Sequence, residues 1–167
     1  YTVVMPDYVK HPNKEAHYPS FAVDAAKAIA WTKHNISQHN GDANNIFLAG
    51  HSAGAHTALM VTTDSQFLNS EGLSEKDIRA VAGIAGPYSF TPDWEVTQAV
   101  FGPPKNYPLM DALNYVDGQE PSTILLHSTG DEQVGQYNQD KLGAKLKAAR
   151  VDVETVLNNG ISHIDMV

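Results

Sequence analysis

Apolar residues recur along this chain in two rhythms, short unbroken runs and longer stretches that repeat every three to four residues, and the two alternate from one end to the other. The runs Val3 to Met5, Ile46 to Ala49, Arg79 to Ile84, Thr123 to His127 and Val151 to Leu157 predict five strands. Turn formers close them, among them Pro6-Asp7, Gly50, Gly86-Pro87 and Asn158-Asn159-Gly160. Between the first two runs, Phe21, Ala25, Ala28, Ile29, Thr32 and Ile36 fall at helical spacing. They predict an amphipathic helix with Ser20 as N-cap, ending near Asn40-Gly41. Ala55 to Val61 is apolar on nearly every side, as a helix covered by its neighbours would be. A third helix is expected from about Val134 to Ala149, with Leu142, Leu146 and Ala149 on one face.

Strands alternating with helices imply an α/β fold: a mostly parallel sheet, joined by right-handed crossovers and flanked by helices on both faces. The stretch from Pro87 to Pro121 breaks the rhythm. It is rich in Pro, Asn, Asp and aromatic residues and reads as an insertion over the sheet edge, a lid or pocket wall. No repeat or linker interrupts the pattern, so residues 1–167 are expected to form a single domain.

Composition narrows the function. With 42% hydrophobic and 18% charged residues the chain is of globular type. Its 19 Asp and Glu against 11 Lys and Arg give a net charge of −8, and no basic stripe appears, which argues against nucleic acid or an anionic membrane surface as partner. No cysteine is present, which removes disulfides, thiolate metal sites and a Cys nucleophile. No apolar run approaches the roughly 18 to 20 residues that span a bilayer. The chain opens in mid-run on Tyr1-Thr2-Val3-Val4-Met5 with neither an initiator methionine nor a signal peptide, so further residues are expected ahead of Tyr1.

The chemistry gathers where a strand meets a helix. Gly50-His51-Ser52-Ala53-Gly54 fits G-x-S-x-G between a predicted strand and a predicted helix. Turning so sharply forces the central residue into a strained conformation, and side chains at Gly50 and Gly54 are expected to collide with neighbouring elements. Ser52 is thereby the candidate nucleophile, and the N-H of Ala53 at the helix start a candidate oxyanion donor. A serine hydroxyl needs a base, and that base a third group to orient it. Asp131 follows the fourth predicted strand and His163 the fifth, in the order Ser, acid, His expected for a nucleophile elbow in an α/β fold of this kind. Glu132 competes with Asp131, but Asp131 directly after Gly130 better suits a tight turn; the plain alternative for Asp131 is a cap on the next helix. His127 ends a strand, where a structural histidine bonded to backbone is the commoner outcome. His51 and His56 are five apart, as are His34 and His39, which does not give the i, i+4 spacing of a helical zinc site, so no metal is expected.

These motifs resemble the α/β-hydrolase superfamily, within it the carboxylesterase and lipase group near the hormone-sensitive-lipase-like and feruloyl-esterase-like families. The matching stretches are Met5-Pro6-Asp7-Tyr8, Tyr18-Pro19 leading to Asp24-Ala25, Gly41-Asp42 through Gly50-His51-Ser52-Ala53-Gly54-Ala55-His56, Ala85-Gly86-Pro87-Tyr88, Leu125-Leu126-His127 with Gly130-Asp131, and His163. The resemblance implies a catalytic triad of Ser52, Asp131 and His163, and hydrolysis of a small ester through an acyl-enzyme without a cofactor. It also implies a sheet of about eight strands, of which five are identified, and a His-Gly-Gly loop that supplies the second oxyanion donor. Neither that loop nor a closing helix after His163 is found in this sequence, so the chain is expected to be incomplete at both ends. Alternatives are an amidase or arylformamidase using the same three residues, and a catalytically silent binding module of the same fold. Phe90, Trp94 and Phe101 are candidates for an acyl or alcohol pocket.

Overall fold

Each of the last four apolar runs finds a neighbour of its own kind. A computed structural model describes residues 1–167, and in it β1 (Ile46–His51), β2 (Ile78–Ile84), β3 (Ser122–Ser128) and β4 (Val153–Asn158) pair in parallel in chain order. All four strands therefore deliver their C-terminal ends to the same edge of the sheet. Five helices accompany it: α1 (Ser20–Asn35), α2 (Ala53–Thr63), α3 (Ser65–Ser70), α4 (Glu95–Phe101) and α5 (Tyr137–Ala148). None is long and apolar enough to cross a membrane.

Helix α2 lies against β1, β2 and α1, which explains its composition: every residue from Ala55 to Thr63 is buried. The hydroxyls of Thr57, Thr62 and Thr63 bond back to the carbonyls of Ala53, Ala58 and Leu59, so no polar group is stranded by that burial. Helix α5 lies along β3 and β4 and seats Leu142 and Leu146 in the core beside Leu125. Burying side chains of this size stabilises the fold by about 1.5–3 kcal/mol each. From the same helix the Gln139 amide donates to the carbonyls of Leu125 and Val156, tying β3 to β4 just before the two strands reach their ends.

The sheet has four strands where the apolar pattern predicts five. Val3 to Met5 is not a strand: Val3 and Met5 are 75% and 89% exposed and no ladder partner lies beside them. An apolar run is a necessary condition for a buried strand, but only pairing makes one. Smaller departures have local causes. Helix α1 begins at Ser20 with Pro19 at the cap position, and the Ser20 hydroxyl turns back to the carbonyls of Glu15 and His17. The last strand starts at Val153 because the Val151 N–H is used on Leu146, closing α5. Helix α5 starts at Tyr137 because the Val134 N–H is taken by a carboxylate described below. Helix α3, unmarked by periodicity, is capped by Asp64, which accepts from Gln66 N.

Between Pro87 and Pro121 the chain makes α4 and two 3₁₀ segments, Pro104–Met110 and Ala112–Tyr115. Tyr88, Phe101, Met110 and Ala112 anchor this stretch in the core, while Trp94, Val96 and Leu109 remain about half exposed.

Candidate active site

Strand β1 passes into α2 with a single residue between them, and that residue is Ser52, at φ 54° and ψ −120°. The left-handed φ is costly for a serine, and the turn is held by the Ser52 N–H bonding to Ile84 O at 2.9 Å. A Cβ on Gly50 would lie 2.2 Å from the carbonyl oxygen of Gly54, so no side chain fits there. Gly54 differs from expectation: a Cβ there meets nothing within 4 Å. The close approach is one-sided, the backbone of Gly54 crossing over Gly50.

The ends of β3 and β4 form one structure. Past the last ladder pair, Thr129 N still bonds to Asn158 O. The buried Ser128 hydroxyl accepts from Gly130 N at 3.2 Å and from Ile161 N at 2.9 Å, joining the turn after β3 to the loop after β4. A Cβ on Gly130 would fall 2.6 Å from the carbonyl carbon of Gly160, so the two segments touch backbone to backbone.

In this turn the two oxygens of Asp131 have separate duties. One accepts from Gln133 N and Val134 N, both at 2.9 Å; the other accepts from His163 Nδ1 at 2.7 Å. The first oxygen does not cap the next helix, the alternative the sequence offered: α5 begins at Tyr137 with Gln136 at its cap position, and Asp131 closes the turn ahead of it while orienting His163. Burial pushes the Asp131 carboxyl up, but the bonds from His163, Val134 and Gln133 together outweigh it and hold the group below the ordinary carboxylate value. Glu132 points to solvent.

His163 is buried, and its Nε2 stands 2.9 Å from Ser52 Oγ. With Nδ1–H donating to the carboxylate, Nε2 is free to accept the serine proton. The structure thus brings Ser52, His163 and Asp131 into one hydrogen-bonded line. Ala53 follows Ser52 at the start of α2, where backbone N–H groups have no partner inside the helix. His127 is buried beneath Asp131, with Nδ1 3.9 Å from the carboxylate, and burial lowers its pKa. His56 is buried among Phe21, Phe90 and Phe101 and donates from Nε2 to Met110 O at 2.7 Å.

Two side chains shape this arrangement through contacts that the sequence does not indicate. Ser128 is an ordinary strand-end serine until β4 is placed beside it. His51 fills the free position of the elbow motif, yet its Nε2 lies 2.8 Å from the main-chain oxygen of His163, with the two rings 4.6 Å apart.

Beside Ser52 lies a cavity of about 480 Å³. Its walls come from the segment Tyr8 to His11, from Phe21 and His56, and from Phe90, Trp94 and Phe101, with Val134 next to the acid turn. The three aromatic residues singled out in the sequence all face it, Phe101 also packing into the core.

A family model described as BD-FAE matches residues 1–146, a span that contains Ser52 and Asp131. Among curated relatives, the probable isoprenylcysteine alpha-carbonyl methylesterase ICMEL2 of Arabidopsis thaliana is 26% identical over 86% of this chain and 39% of its own length. Esterase LipQ of Mycobacterium tuberculosis is 27% identical over 86% of this chain and 37% of its own length. The chain spans under two fifths of either relative. Among solved structures, a truncated carbohydrate esterase from gut microbiota superposes with a TM-score of 0.80 at 18% identity, covering 91% of this chain and 64% of its own. An acetyl ester-xyloside bifunctional hydrolase from Caldicellulosiruptor lactoaceticus gives 0.79 at 23%, covering 94% and 60%. At such identities the superpositions speak to the fold alone, a parallel sheet flanked by helices of the α/β-hydrolase type. With seven eighths of its length inside the matched span, the chain belongs to the BD-FAE family.

Proposed function

We propose that this chain carries the reacting centre of a carboxylesterase-type serine hydrolase acting on small carboxylic esters, with Ser52 as nucleophile, His163 as base and Asp131 as orienting acid. The observation that carries the reading is the unbroken line from Ser52 Oγ to His163 Nε2 at 2.9 Å and from His163 Nδ1 to Asp131 at 2.7 Å. The esterase names of the curated relatives support the reaction class.

Ser52 Oγ attacks the ester carbonyl as its proton passes to His163 Nε2, and the imidazolium that forms faces the Asp131 carboxylate. The N–H of Ala53 donates to the developing oxyanion. His163 returns the proton to the departing alcohol oxygen, leaving Ser52 acylated. Water then gives a proton to His163 as it attacks the acyl carbon, and the proton returns to Ser52 as the acid leaves. The apolar cavity beside Ser52 receives the acyl or alcohol group, and the segment from Pro87 to Pro121 serves as its wall and lid, setting which esters fit.

The test is a chromogenic acetate ester assay on the intact protein. A burst of released alcohol followed by slower turnover, both abolished by Ser52→Ala, supports the reading; equal rates in the two proteins discard it in favour of a silent binding module.

A further inference from the structure

His163 lies beyond the end of β4, at the opposite edge of the sheet from β1, whose end carries Ser52. Three strand spacings, on the order of 14 Å, separate those two strands. The loop bearing His163 must therefore lean back across β3 and β2 to reach the nucleophile. The bond from Ile161 N to the Ser128 hydroxyl holds it only as far as β3.

Two contacts connect the tip of this loop to the elbow. The first is the hydrogen bond with Ser52 Oγ, and the reaction itself abolishes it: an acylated Ser52 has no hydroxyl proton to offer, while Nε2 has to orient a water. The second joins His51 Nε2 to the main-chain oxygen of His163 at 2.8 Å, with the rings packed at 4.6 Å and tilted by 41°. A carbonyl oxygen can only accept, so the His51 Nε2 carries the proton and donates it. No atom of this second contact exchanges a proton during the cycle.

We propose that His51 is a positioning residue: its Nε2–H, donated to the His163 carbonyl, fastens the histidine loop to the elbow strand and keeps the base in place during deacylation, when Ser52 no longer holds it. The inference rests on the hydrolase reading above. Because His51 and Ser52 are consecutive, one strand end becomes the reference for both nucleophile and base. What the position requires is an N–H donor at the reach of the imidazole Nε2, which a glutamine amide can also supply. A phenylalanine keeps the ring packing and lacks the donor. An asparagine keeps an amide and lacks the reach.

Stopped-flow turnover of a chromogenic acetate ester by the intact protein separates the acylation burst from steady-state deacylation. His51→Phe and His51→Asn are expected to slow deacylation about 10-fold while acylation changes by less than about 3-fold, so that kcat and KM fall together. His51→Gln is expected to restore deacylation to within about 3-fold of the parent. Should Phe or Asn fail to fold, the other set against Gln gives the same comparison. Parent-like deacylation in the Phe and Asn variants overturns the proposal. So does a loss shared by all three variants, or one that falls equally on both steps and follows a drop in Tm. Ser52→Ala is run alongside: if it matches the parent, the hydrolase reading falls and this inference with it, whereas an inactive Ser52→Ala beside an unimpaired His51→Phe removes only the role given to His51.

Discussion

The turns that hold Ser52, Asp131 and His163 are built differently from the segments that face them across the cavity. The first group hangs from strand ends: Ser52 N on Ile84 O, Ser128 Oγ between Gly130 N and Ile161 N, and Gly130 against the backbone of Gly160. Their side chains are buried or nearly so, and each carries a directed hydrogen bond. The facing wall, from Tyr8 to His11 and from Phe90 to Phe101, contains the seven-residue α4 and otherwise loop, with Trp94 58% and Val96 48% exposed. A sheet register fixes positions to fractions of an ångström, whereas a wall of apolar side chains fixes only a volume. Geometry on one side and capacity on the other should therefore respond to different mutations.

The largest expected effect lies in the strand-end group. Ser52→Ala and Asp131→Asn should each lower kcat by about 10⁴-fold or more, because a hydrogen-bonded triad acts as a unit, and for Ser52→Ala the urea midpoint should change little. An Asp131→Asn protein with near-parent kcat in steady-state assays would break the distinction.

Next in size is a backbone contact. Gly130→Ala places a Cβ 2.6 Å from the Gly160 carbonyl carbon, so the acid turn and the histidine loop must separate. The expected cost is about 1–3 kcal/mol by denaturant titration, together with a fall in kcat of at least about 10-fold.

The wall should behave in the opposite manner. Trp94→Ala removes a side chain more than half exposed, and stability should move by less than about 0.5 kcal/mol. The ratio of kcat/KM for longer over shorter acyl esters should move by about 10-fold, measured across a series of chain lengths. A Trp94→Ala protein with a parent-like profile would mean that the selective surface lies elsewhere.

The smallest effect is in pH. Burial lowers the pKa of His56, under the wall, and of His127, under the acid turn, from 6.5. A depressed folded-state value means that the unfolded chain binds protons first as pH falls below 6.5. Stability should therefore decline from neutral pH toward acid, through the folded-state values, and recover above 6.5. Asp131 works the same way in a lower window, its stabilisation present above the ordinary carboxylate value of 3.8 and lost as pH falls through its lowered one. His56→Gln, which retains a donor for Met110 O, should flatten the urea-midpoint profile between pH 7 and 5. An unchanged slope would place the pH sensitivity on the His127 side of the molecule.

Much of this arrangement is legible before any coordinates. The apolar runs mark all four strands, and the dense apolar stretch after the elbow marks α2, since a helix covered by a sheet and another helix cannot spare a polar face. The order of Ser52, Asp131 and His163, each just past a predicted strand, places them at one sheet edge because parallel strands end on the same side. Val3 to Met5 misleads for the complementary reason: its composition suits a strand, but composition supplies no partner. Gly54 misleads because two glycines in one motif look equivalent, and only the path of the backbone reveals that Gly50 alone is crowded.

What the sequence determined by itself is therefore local or periodic: where most strands and helices run, which turn is too tight for a side chain, and which reactive residue types fall just past the strand ends. The tertiary structure decided what depends on two distant segments meeting. It divided the oxygens of Asp131 between a turn and His163, put the Ser128 hydroxyl between two loops, and brought the His51 ring onto the carbonyl of a residue far along the chain. A hydrogen bond is defined by a distance and an angle between its two groups. The one-dimensional pattern names those groups, and only the folded backbone sets how far apart they stand.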